Sequence, residues 1–150
     1  MAKIQTSATI DRPVEAVWKF INDLPRSSEW DEGVIEAKQT SAGPPGVGAT
    51  FQSKRKKEGL ITFRCAEYEP NKKLALEFTN TPLAGSTESL SLENLEGKAR
   101  LTWTTELKFG GAYRIIGPFL LRSFRRLNET QLNNLKRIME SEGQQARHRK

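Results

Sequence analysis

The sequence has 150 residues, a formal net charge of +6 and 36% hydrophobic residues, which suits one domain with its own core. No run approaches the roughly 18 apolar residues of a membrane span, and the first residues hold no apolar stretch of the signal-peptide kind. The single cysteine excludes an intramolecular disulfide and a multi-cysteine metal site. From these three observations together we expect a cytoplasmic protein, and we expect no cofactor.

A strand and a short helix are predicted at the start of the chain. Residues 3–10 alternate apolar and polar side chains, as a half-buried strand does. Asp11 and Pro13 then suit the start of a helix over residues 14–21, whose apolar side chains share one face. A second short helical turn is predicted before Trp30.

Six further strand signals follow, separated by turn residues. They cover residues 34–40, 49–57, 60–68, 73–79, 88–95 and 99–109. The second and third of these strands form a hairpin about Glu58 and Gly59. Because each strand follows the last after a short turn, the sequence predicts an antiparallel meander.

A long amphipathic helix is predicted over residues 118–140. Apolar residues repeat at three- and four-residue spacing along one stripe: Ile116, Leu120, Phe124, Leu127, Leu135 and Ile138. A single helix of this length must bury its apolar side against the sheet. The sequence therefore predicts an α+β fold in which a curved sheet wraps around the helix and leaves a cavity.

The positive charge is concentrated in the last quarter of the chain. Residues 1–112 hold 15 basic and 15 acidic side chains, whereas residues 113–150 hold nine basic and three acidic ones. Part of this excess lies on the outer face of the final helix, at Arg122, Arg125 and Arg126. A solvated helix surface is the simpler interpretation, and weak contact with an anionic surface is the alternative.

Three segments of the chain carry a resemblance to a known superfamily. They are residues 10–21 with Asp23 and Trp30, the glycine-rich residues 43–51, and residues 128–136. These segments resemble the Bet v 1-like, or START-like (SRPBCC), superfamily, often described as polyketide cyclase/dehydrase and lipid transport. The resemblance implies a helix-grip fold, in which a seven-stranded antiparallel sheet wraps the C-terminal helix and two short helices after the first strand close one end. It also implies a single domain over residues 1–142, and we expect residues 143–150 to form a basic flexible tail.

The known catalytic templates lack partners in this sequence. The only histidine, His148, lies in the expected tail, so that a Ser–His or Cys–His system has no base. One histidine with one cysteine does not make a zinc site, and we interpret Cys65 as a small strand hydrophobe. Glu67 is in phase with Phe63 and Cys65 and could serve as a general acid or base in the cavity. A solvated position at the strand end is the favoured alternative for Glu67.

The residues expected to line the cavity are mostly aromatic or aliphatic. The predicted ligand-binding residues are Phe51, Phe63, Phe78, Leu90, Trp103, Thr105, Leu120, Phe124 and Leu127. Phe109 is also predicted to point inward. Thr105, Ser89 or Glu88 could supply an orienting hydrogen bond, and the loop over residues 43–48, which the resemblance implies to be a mobile lid, is read as a gate.

Three functions remain open at this point. The first is binding or transport of a small hydrophobic or amphipathic ligand, such as a lipid, a quinone or a polyketide-like ring. The second is a cyclase or dehydratase that acts by confinement with a lone carboxylate. The third is a partner-binding module that uses the basic face of the C-terminal helix. Nucleic acid is not expected as a partner, because aromatic and basic residues share no exposed platform.

Overall fold

The computed structural model describes residues 2–81, 83–108 and 113–148. The elements in chain order are β1 (Ala2–Ile10), α1 (Val14–Ile21), a 3-10 turn (Leu24–Arg26), α2 (Ser27–Trp30), β2 (Val34–Gln39), β3 (Thr50–Arg55), β4 (Gly59–Glu69), β5 (Lys73–Phe78), β6 (Thr87–Leu95), β7 (Lys98–Leu107) and α3 (Tyr113–His148). The order of strands and helices is the predicted one.

The seven strands form one antiparallel sheet in the order β1-β7-β6-β5-β4-β3-β2. Strands β2 to β7 are a meander of sequential neighbours, and β1 is added beside β7 along its whole length, from Ala2 opposite Leu107 to Ile10 opposite Ala99. Together with the long C-terminal helix and the short helices after β1, this topology confirms the predicted helix-grip fold.

The core lies where the C-terminal half of α3 packs on the sheet. Leu132, Leu135 and Met139 are at most 3% exposed. They belong to one cluster of buried side chains with residues of β1, α1 and β7, among them Ile10, Val17, Leu101 and Trp103. The cluster residues of α3 recur at three- and four-residue spacing, and those of β7 at every second position. Each element therefore buries one face in this cluster.

Polar contacts fix the same half of α3 to the corner between β1 and α1. The Arg12 guanidinium donates from Nη1 to the carbonyl of Met139 at 2.9 Å, and Lys136 donates from Nζ to the carbonyl of Thr9 at 2.6 Å. Gly143 is buried against Arg12, and a side chain at position 143 would collide with it. The corner therefore holds α3 by its backbone as well as by its apolar side chains.

Helix α3 is longer than predicted at both ends. The helix begins at Tyr113, five residues before the predicted start at Pro118, so that Gly117 and Pro118 lie within its second turn. At the other end the helix continues through residues 143–148, the described part of the expected tail. Flexibility of that tail stays a prediction. Phe109, which is predicted to point inward, lies outside the described residues.

The two halves of α3 are expected to differ in their contribution to stability. Leu135 is 1% exposed within the core, whereas Phe124 is only half-buried. Leu135→Ala should lower the free energy of unfolding by about 2–5 kcal/mol, and Phe124→Ala should lower it by less. Denaturant unfolding of both variants measures this difference, and a larger loss for Phe124→Ala would contradict the described packing.

Candidate functional site

A cavity of about 270 Å³ lies between the inner face of the sheet and the part of α3 that precedes the core. Its walls come from strands β2 to β7, from the segment between α1 and α2, and from Phe124, Leu127, Asn128 and Gln131 of α3. Most of the lining side chains are aromatic or aliphatic. The volume is slightly below the range of drug-sized sites, so the space suits a small ligand.

Strand register arranges the apolar wall in rows across the sheet. Phe51 on β3 lies opposite Phe63 on β4, which lies opposite Phe78 on β5. The rings of Phe63 and Phe78 are 4.8 Å apart between centroids. A second row consists of Leu74, Leu90 and Trp103. Residues directly opposite in antiparallel strands point to the same face, so that both rows face the cavity.

Of the three carboxyl side chains in the cavity wall, those of Asp31, Glu58 and Glu88, only that of Glu88 lies within the apolar rows of β5 to β7. Glu88 on β6 lies between Leu76 on β5 and Thr105 on β7, in a row that faces the cavity. Burial raises its pKa to about 7, the negative charge of Asp31 adds to the rise, and Arg55 opposes it. Among the described residues, the Glu88 carboxyl makes no hydrogen bond or ion pair. Because burial disfavours the charge, the Glu88 carboxyl is neutral below about pH 7 and ionised above it.

Hydrogen bonds connect α3 to the other walls of the cavity. Asn128 donates from Nδ2 to Thr105 Oγ1 at 3.0 Å, and Gln131 donates from Nε2 to Asp31 Oδ1 at 2.8 Å. Asp31 also forms an ion pair with Arg55, with 3.0 Å between Oδ2 and Nη1. These buried polar side chains therefore position α3 against β7 and against the end of α2.

The positive charge of Arg55 is already compensated. Its guanidinium contacts both carboxylate oxygens of Asp31, and its Nε lies 3.2 Å from Glu58 Oε2. The guanidinium passes so close to Gly33 that a Cβ at position 33 would collide with it. Arg55 is thus a structural cation, and Glu88 is the ionisable group that the fold leaves open to the cavity.

Three further residues of the cavity wall carry a buried polar atom that has no hydrogen-bond partner among the described residues. They are Trp30 at Nε1, Trp103 at Nε1 and Ser53 at Oγ. The two indole rings meet edge to face, with 6.0 Å between their centroids. A buried donor without a partner costs about 1–3 kcal/mol, so these three groups lower the stability of the folded state.

The structure brings eight of the nine predicted ligand-binding residues together in the cavity wall. They are Phe51, Phe63, Phe78, Leu90, Trp103, Thr105, Phe124 and Leu127. Leu120 lies one helical turn further toward the N-terminus of α3, outside the lining, and is 36% exposed. Binding of a ligand by these residues stays a prediction.

Glu67 does not face the cavity. The pairing of β4 with β5 shifts register between Cys65 and Glu67, and this bulge turns the following residues by one position. Tyr68 takes the inner face and packs edge to face on Trp18, whereas Glu67 pairs with Lys73 at 2.8 Å on the outside. The prediction that Glu67 could act as an acid or base in the cavity is therefore wrong. Glu67 lies in solvent, as the alternative interpretation stated.

Sequence reasoning missed the network of Asp31, Arg55 and Gln131. These residues come together from three separate segments, so that no local pattern marks them. Glu88 was considered only as a hydrogen-bonding group. Its phase with Leu90 and Leu92 on the inner face of β6 was the signal that could have identified it as the buried carboxyl.

Other sequence features have simple structural positions. Cys65 is buried, and burial raises the pKa of its thiol, so it stays protonated at neutral pH. Pro45 of the glycine-rich loop belongs to the cavity wall, and opening of that loop as a gate stays a prediction.

Within the described residues there is no group of three or more His, Cys, Asp or Glu side chains placed to hold a metal. Over the same residues, no helix has the length and apolar character needed to cross a membrane.

A family model described as "Polyketide cyclase / dehydrase and lipid transport" matches residues 1–140. The chain belongs to this family. The match confirms the resemblance seen in the sequence. The family description includes both catalysis and transport, so membership alone does not choose between them. No curated protein matches the sequence.

Solved structures show the same fold at low sequence identity. The aromatase/cyclase ZhuI from Streptomyces sp. R1128 is 16% identical, with a TM-score of 0.76 over 93% of each chain. The Aha1 dimer from Colwellia psychrerythraea is 18% identical, with a TM-score of 0.71 over 93% of this chain and 97% of that one. The two-domain protein StfQ from the steffimycin pathway is 13% identical, with a TM-score of 0.76 over 94% of this chain and 51% of its own. At these identities the likeness shows the fold alone.

Glu88 is expected to make stability depend on pH. Its pKa is about 7 when folded, against 4.5 as the ordinary value for an unfolded chain, so the folded state binds the proton more tightly. Stability conferred by this proton is present below about pH 4.5 and is lost as pH rises through 7, by ~3 kcal/mol in total. Glu88→Gln lacks the titrating group. The free energy of unfolding of the natural protein relative to Glu88→Gln should therefore fall across this window in denaturant titrations, and parallel pH profiles would contradict the burial of Glu88.

Proposed function

We propose that the protein binds a small amphipathic ligand in the cavity between the sheet and α3. The apolar body of the ligand would contact the rows of aromatic and aliphatic side chains, and a polar group would reach Glu88. The observation that carries this proposal is an apolar cavity of about 270 Å³ with one carboxyl group left unpartnered among the described residues. Cavities of this composition, with few polar groups on an apolar wall, are typical of ligand sites.

Simple energetics support binding of a ligand of a few rings. Burial of roughly 300 Å² of apolar surface contributes about 7.5 kcal/mol, close to the ~8 kcal/mol of a micromolar complex. Loss of translational and rotational freedom opposes this term. A hydrogen bond to Glu88, which has no partner to give up in the described part of the protein, would offset part of that loss.

The protonation of Glu88 favours certain polar groups on the ligand. Below about pH 7 the neutral carboxyl can donate a hydrogen bond to a carbonyl oxygen, as in a quinone or a polyketide-like ring. It can also accept one from a hydroxyl group. An ionised fatty acid fits less well, because the charge of Arg55 is already held by Asp31 and Glu58. We therefore favour a neutral ligand that carries a carbonyl or a hydroxyl.

A second candidate function, a cyclase or dehydratase, is favoured by the same carboxyl group. A group with a pKa near 7 can remove a proton beside a carbonyl and deliver it to a departing hydroxyl, so that water is lost and the carboxyl is unchanged. Glu88→Gln should then keep binding of a β-hydroxyketone but lose its dehydration, measured by mass spectrometry. Equal dehydration by both proteins would exclude this role for Glu88.

The position of the binding site can be tested with an apolar dye such as N-phenyl-1-naphthylamine. Saturable binding with increased dye fluorescence is expected for the natural protein. Leu90→Trp, which adds bulk to a cavity-lining residue, should weaken binding at least tenfold. Leu120→Trp adds the same group one turn beyond the cavity wall on α3 and should leave the affinity unchanged. Failure of the dye to bind, or an equal effect of both substitutions, would contradict an internal site.

A further inference from the structure

The outer face of the first half of α3 exposes two large apolar side chains. Ile115 is 76% exposed and Phe119 is 83% exposed. At 3.6 residues per turn, these residues share one stripe with Arg122 and Arg126, on the side of the helix opposite Phe124, which lines the cavity. Neither the core nor the cavity uses them. Single exposed apolar residues are common in folded proteins, but two in one stripe beside arginines form an amphipathic surface.

Three exposed arginines accompany these apolar residues. Arg122, Arg125 and Arg126 lie within residues 113–128, a segment that contains no Asp or Glu. In the part of the chain that the structure describes, none of the three forms an ion pair. The second half of the helix differs, since Lys136 there pairs with Glu140. The acidic residue that follows the segment, Glu129, forms no ion pair with these arginines among the described residues, so their positive charge is not directly paired.

We propose that this surface, formed by Ile115, Phe119, Arg122, Arg125 and Arg126 and here called the docking face, binds an anionic lipid membrane. The helix would lie along the membrane plane, with its two apolar side chains at the boundary between headgroups and acyl chains. The arginines would contact lipid phosphates through their planar guanidinium groups. Attraction between the arginines and an anionic leaflet would add to the apolar contribution.

Charge complementarity distinguishes a membrane from a second copy of this chain. A two-fold contact between two docking faces would place the same surface on both sides of the interface. The three arginines of one copy would then face the three arginines of the other without an acidic residue of the same segment to compensate them. An anionic lipid surface supplies the opposite charge at every position.

The docking face lies on the same helical segment as part of the cavity wall. Phe124 and Leu127 line the cavity one to two turns after Phe119. Docking would therefore hold the cavity about one helix diameter, ~10 Å, from the lipid surface, with α3 between them. Binding to the membrane does not depend on a ligand in the cavity, so the two proposals can fail separately.

Vesicle sedimentation tests the docking face. Vesicles of phosphatidylcholine alone are compared with vesicles that also contain phosphatidylglycerol. We expect the natural protein to sediment with the anionic vesicles and less so as salt is raised. Arg122→Gln combined with Arg126→Gln should weaken binding roughly 30-fold, since each charge near the surface contributes about fivefold. Ile115→Ser combined with Phe119→Ser should also weaken it, at unchanged net charge.

The chain offers a matched control at the end of the β3–β4 hairpin. Lys56→Gln combined with Lys57→Gln removes two exposed positive charges far along the sequence from the docking face. This variant should keep most of the vesicle binding. All variants alter exposed residues, so an unchanged denaturation midpoint and unchanged dye binding show that each one is folded.

Three results would overturn the proposal. The first is no sedimentation of the natural protein with anionic vesicles. The second is an equal loss of binding in the hairpin variant, which would mean that overall charge alone is responsible. The third is a change in oligomeric mass by light scattering for Ile115→Ser with Phe119→Ser while vesicle binding persists, which would assign the face to self-association.

Discussion

Helix α3 packs tightly on the sheet along only part of its length, and the cavity depends on this division. Toward its C-terminus, Leu132, Leu135 and Met139 fill the space against β1 and β7, and Arg12 holds the helix backbone. Toward its N-terminus, Phe124 reaches the sheet side without filling it. A single helix cannot occupy the whole concave face of a seven-stranded sheet, so stability comes from one half and free volume from the other.

Glu88 is the polar feature that gives this free volume a chemical character. The fold pairs several polar side chains of the wall, since Asn128 binds Thr105 and Arg55 binds Asp31. Within the described structure it leaves the Glu88 carboxyl without a partner, at the expense of a raised pKa. A carboxyl group held in this way lowers the free energy of unfolding at high pH. Ionisable groups with shifted pKa values are common at sites that bind or react. Binding and proton transfer are both compatible with it, and they share the same cavity.

Most of the fold was predictable because its periodic signals are local. Alternation along each strand assigned Phe63, Phe78 and Trp103 to the inner face, and the helical spacing identified α3. The bulge in β4 was not predictable, because it depends on pairing with β5, and it reversed the assignment of Glu67. The contact of Asp31 with Gln131 joins residues 100 positions apart, so it depends on tertiary structure alone.

Native mass spectrometry of the freshly purified protein tests the central claim most directly. The account predicts a bound small molecule, either acquired from the cell or after incubation with N-phenyl-1-naphthylamine, that is released on denaturation. Leu90→Trp should carry much less of it, because the added ring occupies the cavity, while Leu120→Trp should carry as much as the natural protein. Absence of any bound molecule under both conditions, or equal amounts in the natural protein and in Leu90→Trp, would contradict an internal ligand site.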